Sequence, residues 1–197
     1  MKIRYAGPDE AEQCWYVRNQ SIRYGCANSY APDVIKAWTP DTMPEHFYAL
    51  WRTTLFVAST SDGVIVATGF LDLSSESVEA IFTLPEYTGN GLAGLIIDAI
   101  KNEARQRGIK QLVLSSTPNA RTFYEKHGFT FVRENTHYSG LAKAELRCID
   151  MTYPLPDCLK KVAIKVDNGR MLFYKETVPC AATIGIFGKL KPHWRRF

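Results

Sequence analysis

Apolar residues recur along this chain with two different periods, about two residues in strands and about 3.6 residues in helices. Helical spacing begins at Pro8-Asp9 and continues to about Tyr24, through Ala11, Cys14, Trp15, Arg18 and Ile22. It returns after residue 91 and predicts a long amphipathic helix that ends near Gly108. Shorter helices are predicted at about 32–38 and 119–127.

The segments between these helices show the alternation or the short apolar runs that are typical of strands. Two of them flank Ser59-Thr60-Ser61-Asp62-Gly63, which predicts a hairpin. A strand at 78–84 is followed by the long helix and then by a strand at 112–115. Such a helical crossover connects parallel neighbours, so this pair is predicted to be parallel. The predicted strands are 2–6, 55–58, 64–73, 78–84, 112–115, 129–132 and 146–153.

The pattern changes after Pro154-Leu155-Pro156. Residues 162–166 and 171–174 alternate as strands around an Asp-Asn-Gly turn, which is a strong hairpin signal. Residues 183–187 favour one more strand. We therefore predict a main domain over 1–153 and a β-rich extension over 154–197. This extension is compatible with three roles: it extends the sheet, covers the acceptor site, or forms a homodimer with a second copy of this chain.

Composition narrows the class of protein. The chain is 46% hydrophobic and 22% charged, which is typical of a globular protein. The sequence shows no run of about 18 apolar residues and no signal segment. We therefore do not expect a membrane protein or a membrane partner. Five dispersed cysteines without a Cys-x-x-Cys pair favour reduced thiols and a cytoplasmic location. The four histidines do not cluster with them, so we expect no metal, and a dispersed net charge of +4 does not favour nucleic acid as a partner.

A glycine-rich turn carries the strongest chemical signal. The strand at 78–84 leads into Thr88-Gly89-Asn90-Gly91-Leu92-Ala93, and this turn opens the long helix. Glycine lets a ligand approach the backbone closely, and the first amides of a helix have no internal acceptors. With the helix dipole, these amides form a site for a pyrophosphate.

The same glycines also fit a different kind of enzyme. Gly89, Gly91 and Gly94 are spaced as in the G-x-G-x-x-G fingerprint of dinucleotide-binding folds. That fold begins with the motif and places an acidic residue after the next strand. Here four predicted strands precede the motif, and Leu114-Ser115-Ser116 carries no acid. A dinucleotide-dependent oxidoreductase is therefore a distant third hypothesis.

Two motifs in order resemble the GCN5-related N-acetyltransferase (GNAT) superfamily. Residues 81–97 are similar to its motif A, with Gly91 and Ala93 at the last two small positions, and residues 119–129 are similar to its motif B. Thr88 departs from the glutamine or arginine of motif A. The resemblance implies an α/β fold (α+β by some schemes), with a mixed, mostly antiparallel sheet that is splayed between two parallel strands and flanked by helices, plus a C-terminal β-hairpin.

The resemblance also implies a reaction and a co-substrate. Acetyl-CoA lies in the splayed gap, and a primary amine attacks its thioester directly, without a covalent enzyme intermediate. The alternative is a non-catalytic protein with this fold that binds CoA or serves in regulation. The residues implied for acetyl-CoA are the backbone near Phe82, Thr83 and Leu84, the turn Thr88, Gly89, Asn90, Gly91, Leu92 and Ala93, and the side chains Asn119 and Arg121.

Two residues are implied for proton transfer. Tyr124 is the candidate general acid, because a phenol keeps its proton at neutral pH. Glu79 is the candidate general base, with Asp72 or water as alternatives. Strand alternation predicts that Glu79 shares a face of its strand with Ile81.

The acceptor site is implied to lie near the first two helices. Aromatic residues border the loop between them, and aromatic rings can wall a pocket or stack on a cation. These residues are Tyr24, Tyr30 and Trp38. The acceptor is left open between a small metabolite, an amino acid, an aminoglycoside, a polyamine and a protein terminus.

Overall fold

A computed structural model of the chain describes residues 1–45, 47 and 54–155, and the backbone of residues 162–167 and 170–175. The chain divides into two compact units, Met1–Pro156 and Asp157–Phe197. In the part of the chain that is described, no helix is both long and apolar enough to span a membrane.

The described part of the first unit alternates strands with helices. Its strands are β1 (Lys2–Tyr5), β2 (Leu55–Ser59), β3 (Ile65–Asp72), β4 (Ser77–Thr83), β5 (Gln111–Ser116), β6 (Thr130–Ser139) and β7 (Ala144–Pro154). Its α-helices are α1 (Ala11–Gly25), α2 (Pro32–Trp38), α3 (Leu92–Gln106) and α4 (Arg121–Lys126). Short 3-10 turns at Pro8–Glu10, Pro85–Tyr87 and Pro118–Ala120 precede α1, α3 and α4.

The seven strands form one sheet in the order β1-β2-β3-β4-β5-β7-β6. Every neighbouring pair is antiparallel except β4 and β5. The parallel pairing of β4 with β5 is limited to Ser77 opposite Val113, so the two strands separate beyond that point. The predicted mixed, mostly antiparallel and splayed sheet is confirmed. A dinucleotide-binding fold requires a parallel sheet, so this topology excludes that fold.

Helices cover the two faces of the sheet. On one face α3 buries Ile96, Ile97 and Ile100 completely in the main core. On the other face Ile22 of α1 forms a smaller buried cluster with residues of the α1–α2 region, and Phe82 of β4 packs against it. The strand β4 therefore lies between α3 on one face and α1 on the other. Each side chain of β4 packs toward one of these two helices, according to the face on which it lies.

A β-bulge in β4 changes the face of its side chains. Thr68 pairs with Phe82 but Phe70 pairs with Glu79, so two residues of β4 lie opposite Gly69. Ala80 occupies the left-handed region at φ 55°, as the extra residue of a bulge often requires. The predicted shared face of Glu79 and Ile81 is therefore wrong. Glu79 instead shares a face with Phe82, because the extra residue shifts the alternation by one.

The strand β6 is longer than its apolar pattern predicts. The sequence predicts a strand at 129–132, whereas β6 continues to Ser139. Its residues are mostly exposed, because β6 is the edge strand of the sheet and β7 alone pairs with it. Backbone pairing with β7 forms this strand without an apolar stripe, so the pattern of side chains did not reveal it.

The second unit contains the predicted hairpin. β8 (Val162–Asp167) and β9 (Arg170–Lys175) pair antiparallel, with Asp167 opposite Arg170. The predicted strand at 183–187 lies outside the described residues.

Replacing Gly69 by alanine tests the packing at the bulge. A Cβ at this position would overlap with Cγ2 of Ile96 and would lie 2.6 Å from Cδ1 of Ile81. Because Ile96 is fully buried, we expect Gly69→Ala to lower the free energy of unfolding by about 1–3 kcal/mol, measured by urea denaturation. Gly140→Ala is the matched control, since a Cβ at Gly140 meets nothing within 4 Å. Equal stability of the two variants would contradict the tight packing at Gly69.

Candidate active site

The gap between β4 and β5 is a cavity of about 440 Å³. The strand β4 forms one wall from Val78 to Thr83, and Ser115 and Ser116 of β5 form the opposite wall. Ser21 of α1 and Tyr124 of α4 close it from the helical side. The cavity exists because the parallel strands pair at one position and then separate.

The backbone of β4 presents amide groups to this gap. Leu84 donates its N–H to the carbonyl of Val66 on β3 (2.9 Å). The sheet therefore uses the amide of Leu84, which the sequence analysis assigned to the acetyl-CoA site. Amide directions alternate along a strand, so the N–H groups of Ile81 and Thr83 point toward the β5 side. There the N–H of Thr83 has a long hydrogen bond of 3.4 Å to Oγ of Ser21.

Thr83 also carries an unsatisfied polar atom. Its Oγ1 is the one fully buried side-chain oxygen or nitrogen without a hydrogen-bond partner among the described residues. Buried hydroxyl groups are normally hydrogen-bonded, because an unmade bond costs about 1–3 kcal/mol.

The glycine-rich turn lies at one end of the cavity, where Thr88 and Ala93 reach the lining. Gly89 and Gly91 have φ of 79° and 75°, and a Cβ at either position would meet no atom within 4 Å. The first helical hydrogen bond runs from Leu95 N–H to the carbonyl of Gly91 (3.1 Å). The preceding amides of α3 therefore have no acceptor within the helix and are available to an anion.

The side chains of the turn hold its shape. Oγ1 of Thr88 donates to the carbonyl of Pro85 (2.8 Å), and Nδ2 of Asn90 donates to the carbonyl of Tyr87 (3.1 Å). The hydroxyl proton of Thr88 is thus used within the protein.

Gly94 has a different role, because a Cβ there would lie 2.7 Å from Cε1 of His127. The third glycine of the G-x-G-x-x-G spacing serves close packing of α3 against His127.

Tyr124 lies in the wall of the cavity with 8% of its surface exposed. Its ring packs edge-on against Phe123 and Phe129, at centroid distances of 5.1 and 5.7 Å. No described residue forms a hydrogen bond with its hydroxyl group. Burial raises the pKa of Tyr124 well above its usual value, and the nearby charge of Glu79 raises it further. The phenol therefore keeps its proton at neutral pH.

Glu79 faces the cavity from the opposite wall. Its side chain is accessible to solvent there, but protein atoms surround it closely enough that desolvation raises the pKa of its carboxyl group. Asp72 raises this pKa further, whereas His137 and a hydrogen bond of 2.8 Å from Oγ of Ser77 act against the shift. A carboxylate with a raised pKa is a stronger base than an ordinary glutamate.

The competing carboxylate, Asp72, is occupied by a turn. It accepts hydrogen bonds from N–H and Oγ of Ser74, at 2.8 and 2.7 Å. These bonds hold the pKa of Asp72 below its usual value. Glu79 is consequently the better placed of the two predicted bases.

Two predicted cofactor contacts have different surroundings. Asn119 lines the cavity, where its Oδ1 accepts hydrogen bonds from Sγ of Cys26 (3.7 Å) and Oγ of Ser29 (3.5 Å). It makes no capping bond at the start of α4. Arg121 is not part of the lining; it pairs with Glu125 at 2.8 Å and stacks on Phe131 at 4.8 Å.

The three predicted acceptor residues separate into two groups. Tyr30 and Trp38 line the cavity and pack edge-to-face at 5.5 Å, and the hydroxyl of Tyr30 donates to the carbonyl of Arg147 (2.6 Å). Tyr24 is 66% exposed and lines neither this cavity nor the next one. Its helical position points it to solvent, so the structure does not bring it to the site.

A second cavity of about 650 Å³ adjoins the first. Both are lined by Trp38, Glu79, Ala80, Phe82 and His137. Two of its residues, Arg18 and His137, were missing from the predicted site. His137 lies in the part of β6 that the sequence did not predict. Arg18 lies within the apolar stripe of α1, and a cation in such a stripe was the signal that could have identified it.

The described thiols are poor nucleophiles. Cys14, Cys26 and Cys148 are free and buried. Burial raises the pKa of Cys14 to about 12 and that of Cys26 to about 11, and it also raises the pKa of Cys148. No cluster of three or more potential metal ligands occurs in the ranges that the structure describes.

Comparison with known proteins identifies the class. Residues 26–152 match the family model of the acetyltransferase (GNAT) domain. The match covers more than half of the chain, so the chain belongs to this family of acyltransferases.

Relatives and solved structures agree with that assignment. The uncharacterized N-acetyltransferase YafP of Escherichia coli (strain K12) is 23% identical over 135 residues, which are 68% of this chain and 84% of that protein. A GCN5-related N-acetyltransferase of Rhodopseudomonas palustris superposes with a TM-score of 0.71 at 25% identity, over 78% of this chain and 95% of that one. The PaiA N-acetyltransferase of Thermoplasma acidophilum, solved with coenzyme A, shares the fold with a TM-score of 0.57 at 17% identity, over 78% and 98%.

Two substitutions next to Glu79 should move its pKa in opposite directions. Ser77→Ala removes a hydrogen bond to the charged form, so the pKa of Glu79 should rise further. Asp72→Asn removes a like charge, so the pKa should fall. Carbon-13 NMR titration of the glutamate carboxyl groups measures both changes, and Glu79→Gln identifies the signal. Shifts of the same sign in both variants would contradict this account of the site.

Proposed function

We propose that this domain transfers the acetyl group of acetyl-CoA to a primary amine by direct attack of the amine on the thioester. One observation carries the proposal. A single gap between β4 and β5 ends at the glycine-rich turn and has Glu79 and Tyr124 on its walls. The complex of the PaiA relative with coenzyme A supports the choice of co-substrate.

The residues of the gap fit coenzyme A. The free amides at the start of α3 and the positive end of its dipole suit the pyrophosphate, and no side chain at Gly89 or Gly91 obstructs its approach. The β5-facing edge of β4, where the N–H of Thr83 makes only a long hydrogen bond of 3.4 Å, suits the peptide-like pantetheine arm. Nδ2 of Asn119 is a further donor on the cavity wall. When bound, acetyl-CoA supplies an activated acyl group.

The backbone of β4 is suited to stabilise developing negative charge on the acyl oxygen. Alternation along β4 places the N–H of Ile81 on the β5 side, three positions before the Leu84 amide that is used within the sheet. A preorganised backbone donor in a cavity with little water interacts strongly with such charge. Phe82, which is paired with Thr68, supplies packing to α1 and no free amide.

Glu79 acts as the general base that removes a proton from the attacking amine, directly or through a water molecule. The raised pKa of its carboxyl group increases its basicity. Its position on the wall common to both cavities allows an amine in the second cavity to reach the first.

Tyr124 acts as the general acid for the leaving thiolate. Its raised pKa keeps the proton on the phenol until a strong base develops beside it. A covalent enzyme intermediate has no candidate among the described thiols, because burial keeps Cys26 and Cys148 protonated at the cavity wall. Direct attack by the amine is therefore the favoured route.

Calorimetry with acetyl-CoA tests the binding part of the proposal. We expect saturable binding by the full chain, and we expect Ala93→Glu to weaken it about 10-fold or more, because a carboxylate in the first turn of α3 repels the pyrophosphate. Asn102→Glu, on the same helix but far from the turn, makes the same change in charge and should leave the affinity unchanged. No binding at high micromolar concentration would refute the enzyme hypothesis.

Kinetic analysis of two variants tests the catalytic roles. Tyr124→Phe and Glu79→Gln should each lower turnover by roughly 10²–10⁴-fold while sparing the affinity for acetyl-CoA. In the wild type, kcat/KM should rise with pH as Glu79 loses its proton, at a pH above the usual glutamate pKa, and Glu79→Gln should remove that limb. Unchanged turnover in either variant would eliminate its role. Binding of acetyl-CoA without turnover of any amine would favour the non-catalytic alternative.

A further inference from the structure

Arg18 is a buried cation without a carboxylate partner. It lies in α1 with 7% of its surface exposed. Its guanidinium carbon is 4.5 Å from the centroid of Trp15 and 5.9 Å from that of Trp38. Desolvation lowers the pKa of Arg18 to about 10, which leaves it charged at neutral pH. No carboxylate among the described groups shifts this pKa.

Two of the five N–H groups of this guanidinium have hydrogen-bond partners. Nη1 donates to Oδ1 of Asn19 (2.8 Å) and to the carbonyl of Trp38 (3.1 Å), which uses both of its protons. Nε and Nη2 have no hydrogen-bond partner among the described residues. They are not sealed in the core, because the only fully buried side-chain atom of that kind in the described ranges is Oγ1 of Thr83. Arg18 is one of the residues that line the second cavity.

These two free nitrogens form one edge of the guanidinium plane. Their N–H groups are parallel and match the two oxygens of a carboxylate. A buried charge is costly unless it is paired, so this edge is preorganised for an anion that no described residue supplies. Arg23, on the same helix, differs in this respect because it is already paired with Asp41 at 2.7 Å.

The second cavity therefore has charges of opposite sign in its lining. Arg18 supplies the cation, and Asp72 and Glu79 supply carboxylates, with Glu79 on the wall common to both cavities. The anion site is separate from the coenzyme A turn, since Arg18 does not line the first cavity and the turn does not line the second. An anion at Arg18 thus belongs to the acceptor.

We propose that the acceptor is an amino-acid-type amine, whose carboxylate binds to Nε and Nη2 of Arg18 while its amino group lies toward Glu79. This inference rests on the proposed function and names the substrate class of the same site. A volume of about 650 Å³ accommodates an amino acid with its side chain. Arg18 is a specificity-determining residue and takes no part in proton transfer.

Matched pairs of amines test the proposal. The probes are amino acids and their decarboxylated counterparts: L-phenylalanine with phenethylamine, L-tyrosine with tyramine, L-leucine with isoamylamine and L-lysine with cadaverine. Binding to the full chain is measured by calorimetry with and without coenzyme A, and turnover by release of the free thiol. We expect the carboxylate member of at least one pair to be preferred by roughly 10- to 100-fold in Kd and in kcat/KM.

Arg18→Met should abolish this preference through a higher KM for the amino acids. The thioether chain preserves the packing between Trp15 and Trp38 and removes a buried charge, so stability in urea should be equal or higher. Arg18→Lys should retain part of the preference, which keeps the test valid if the methionine variant folds poorly. Arg23→Met is the matched control and should leave the preference unchanged, because the guanidinium of Arg23 is already paired.

The outcomes separate this inference from the proposed function. If acetyl-CoA binds and decarboxylated amines are acetylated as well as the amino acids, acetyl transfer stands and the role of Arg18 is overturned. If amino acids bind in a manner that depends on Arg18 but acetyl-CoA does not bind, the anion site stands and acetyl transfer falls. No response to any carboxylate member, or a preference that survives Arg18→Met, also overturns the inference.

Discussion

The bulge at Ala80 is the constraint on which the rest of the site depends. One extra residue opposite Gly69 shifts the alternation of β4, so Ile81 packs toward α3 while Glu79 and Phe82 both face α1. Without that shift, the carboxylate and the Phe82 ring would lie on opposite faces of the sheet. The bulge also occurs in the strand that separates from β5, and the two features together produce a cavity whose wall carries both the carboxylate of Glu79 and amides that face β5.

The electrostatics of the site follow from burial more than from charge pairing. Desolvation raises the pKa values of Glu79 and Tyr124 and lowers that of Arg18. Each of these groups lines a cavity, and none of them is neutralised by an ion pair within the described residues. Most other described arginines are surface partners of carboxylates, as Arg121 and Arg133 are. Uncompensated groups that line the same cavities distinguish a working site from a structural ion pair.

The glycines of the glycine-rich turn meet two different physical requirements, close approach of a ligand and close packing of α3. Gly89 and Gly91 adopt positive φ in open space, where the backbone can approach a ligand. Gly94 faces His127 at a distance that excludes a side chain, so its glycine serves packing between α3 and the end of α4. The G-x-G-x-x-G spacing, which also fits dinucleotide enzymes, arises here from these two separate demands. The topology of the sheet, and not the motif, decides between the two classes of protein.

The sequence by itself determined the elements whose signals are local. Helical periodicity predicted α1 and α3, the glycines and the strand before them predicted the anion-binding turn, and two spaced motifs predicted the family. These features depend on residues within one or two turns of each other, so a linear pattern contains them. The splay of the parallel pair followed from the family resemblance and is present in the sheet.

Only the tertiary structure decided what depends on pairing between distant segments. The bulge in β4 arises from its register with β3, and it places Glu79 on the other face of the strand. The length of β6 arises from its hydrogen bonds to β7, and it brings His137 to the cavities. In the sequence, Arg18 is only a cation at an apolar position of α1. The fold shows that two tryptophans enclose it and that one edge of its guanidinium group has no partner among the described residues. Strand register and burial are set by contacts across the chain, and no local pattern encodes them.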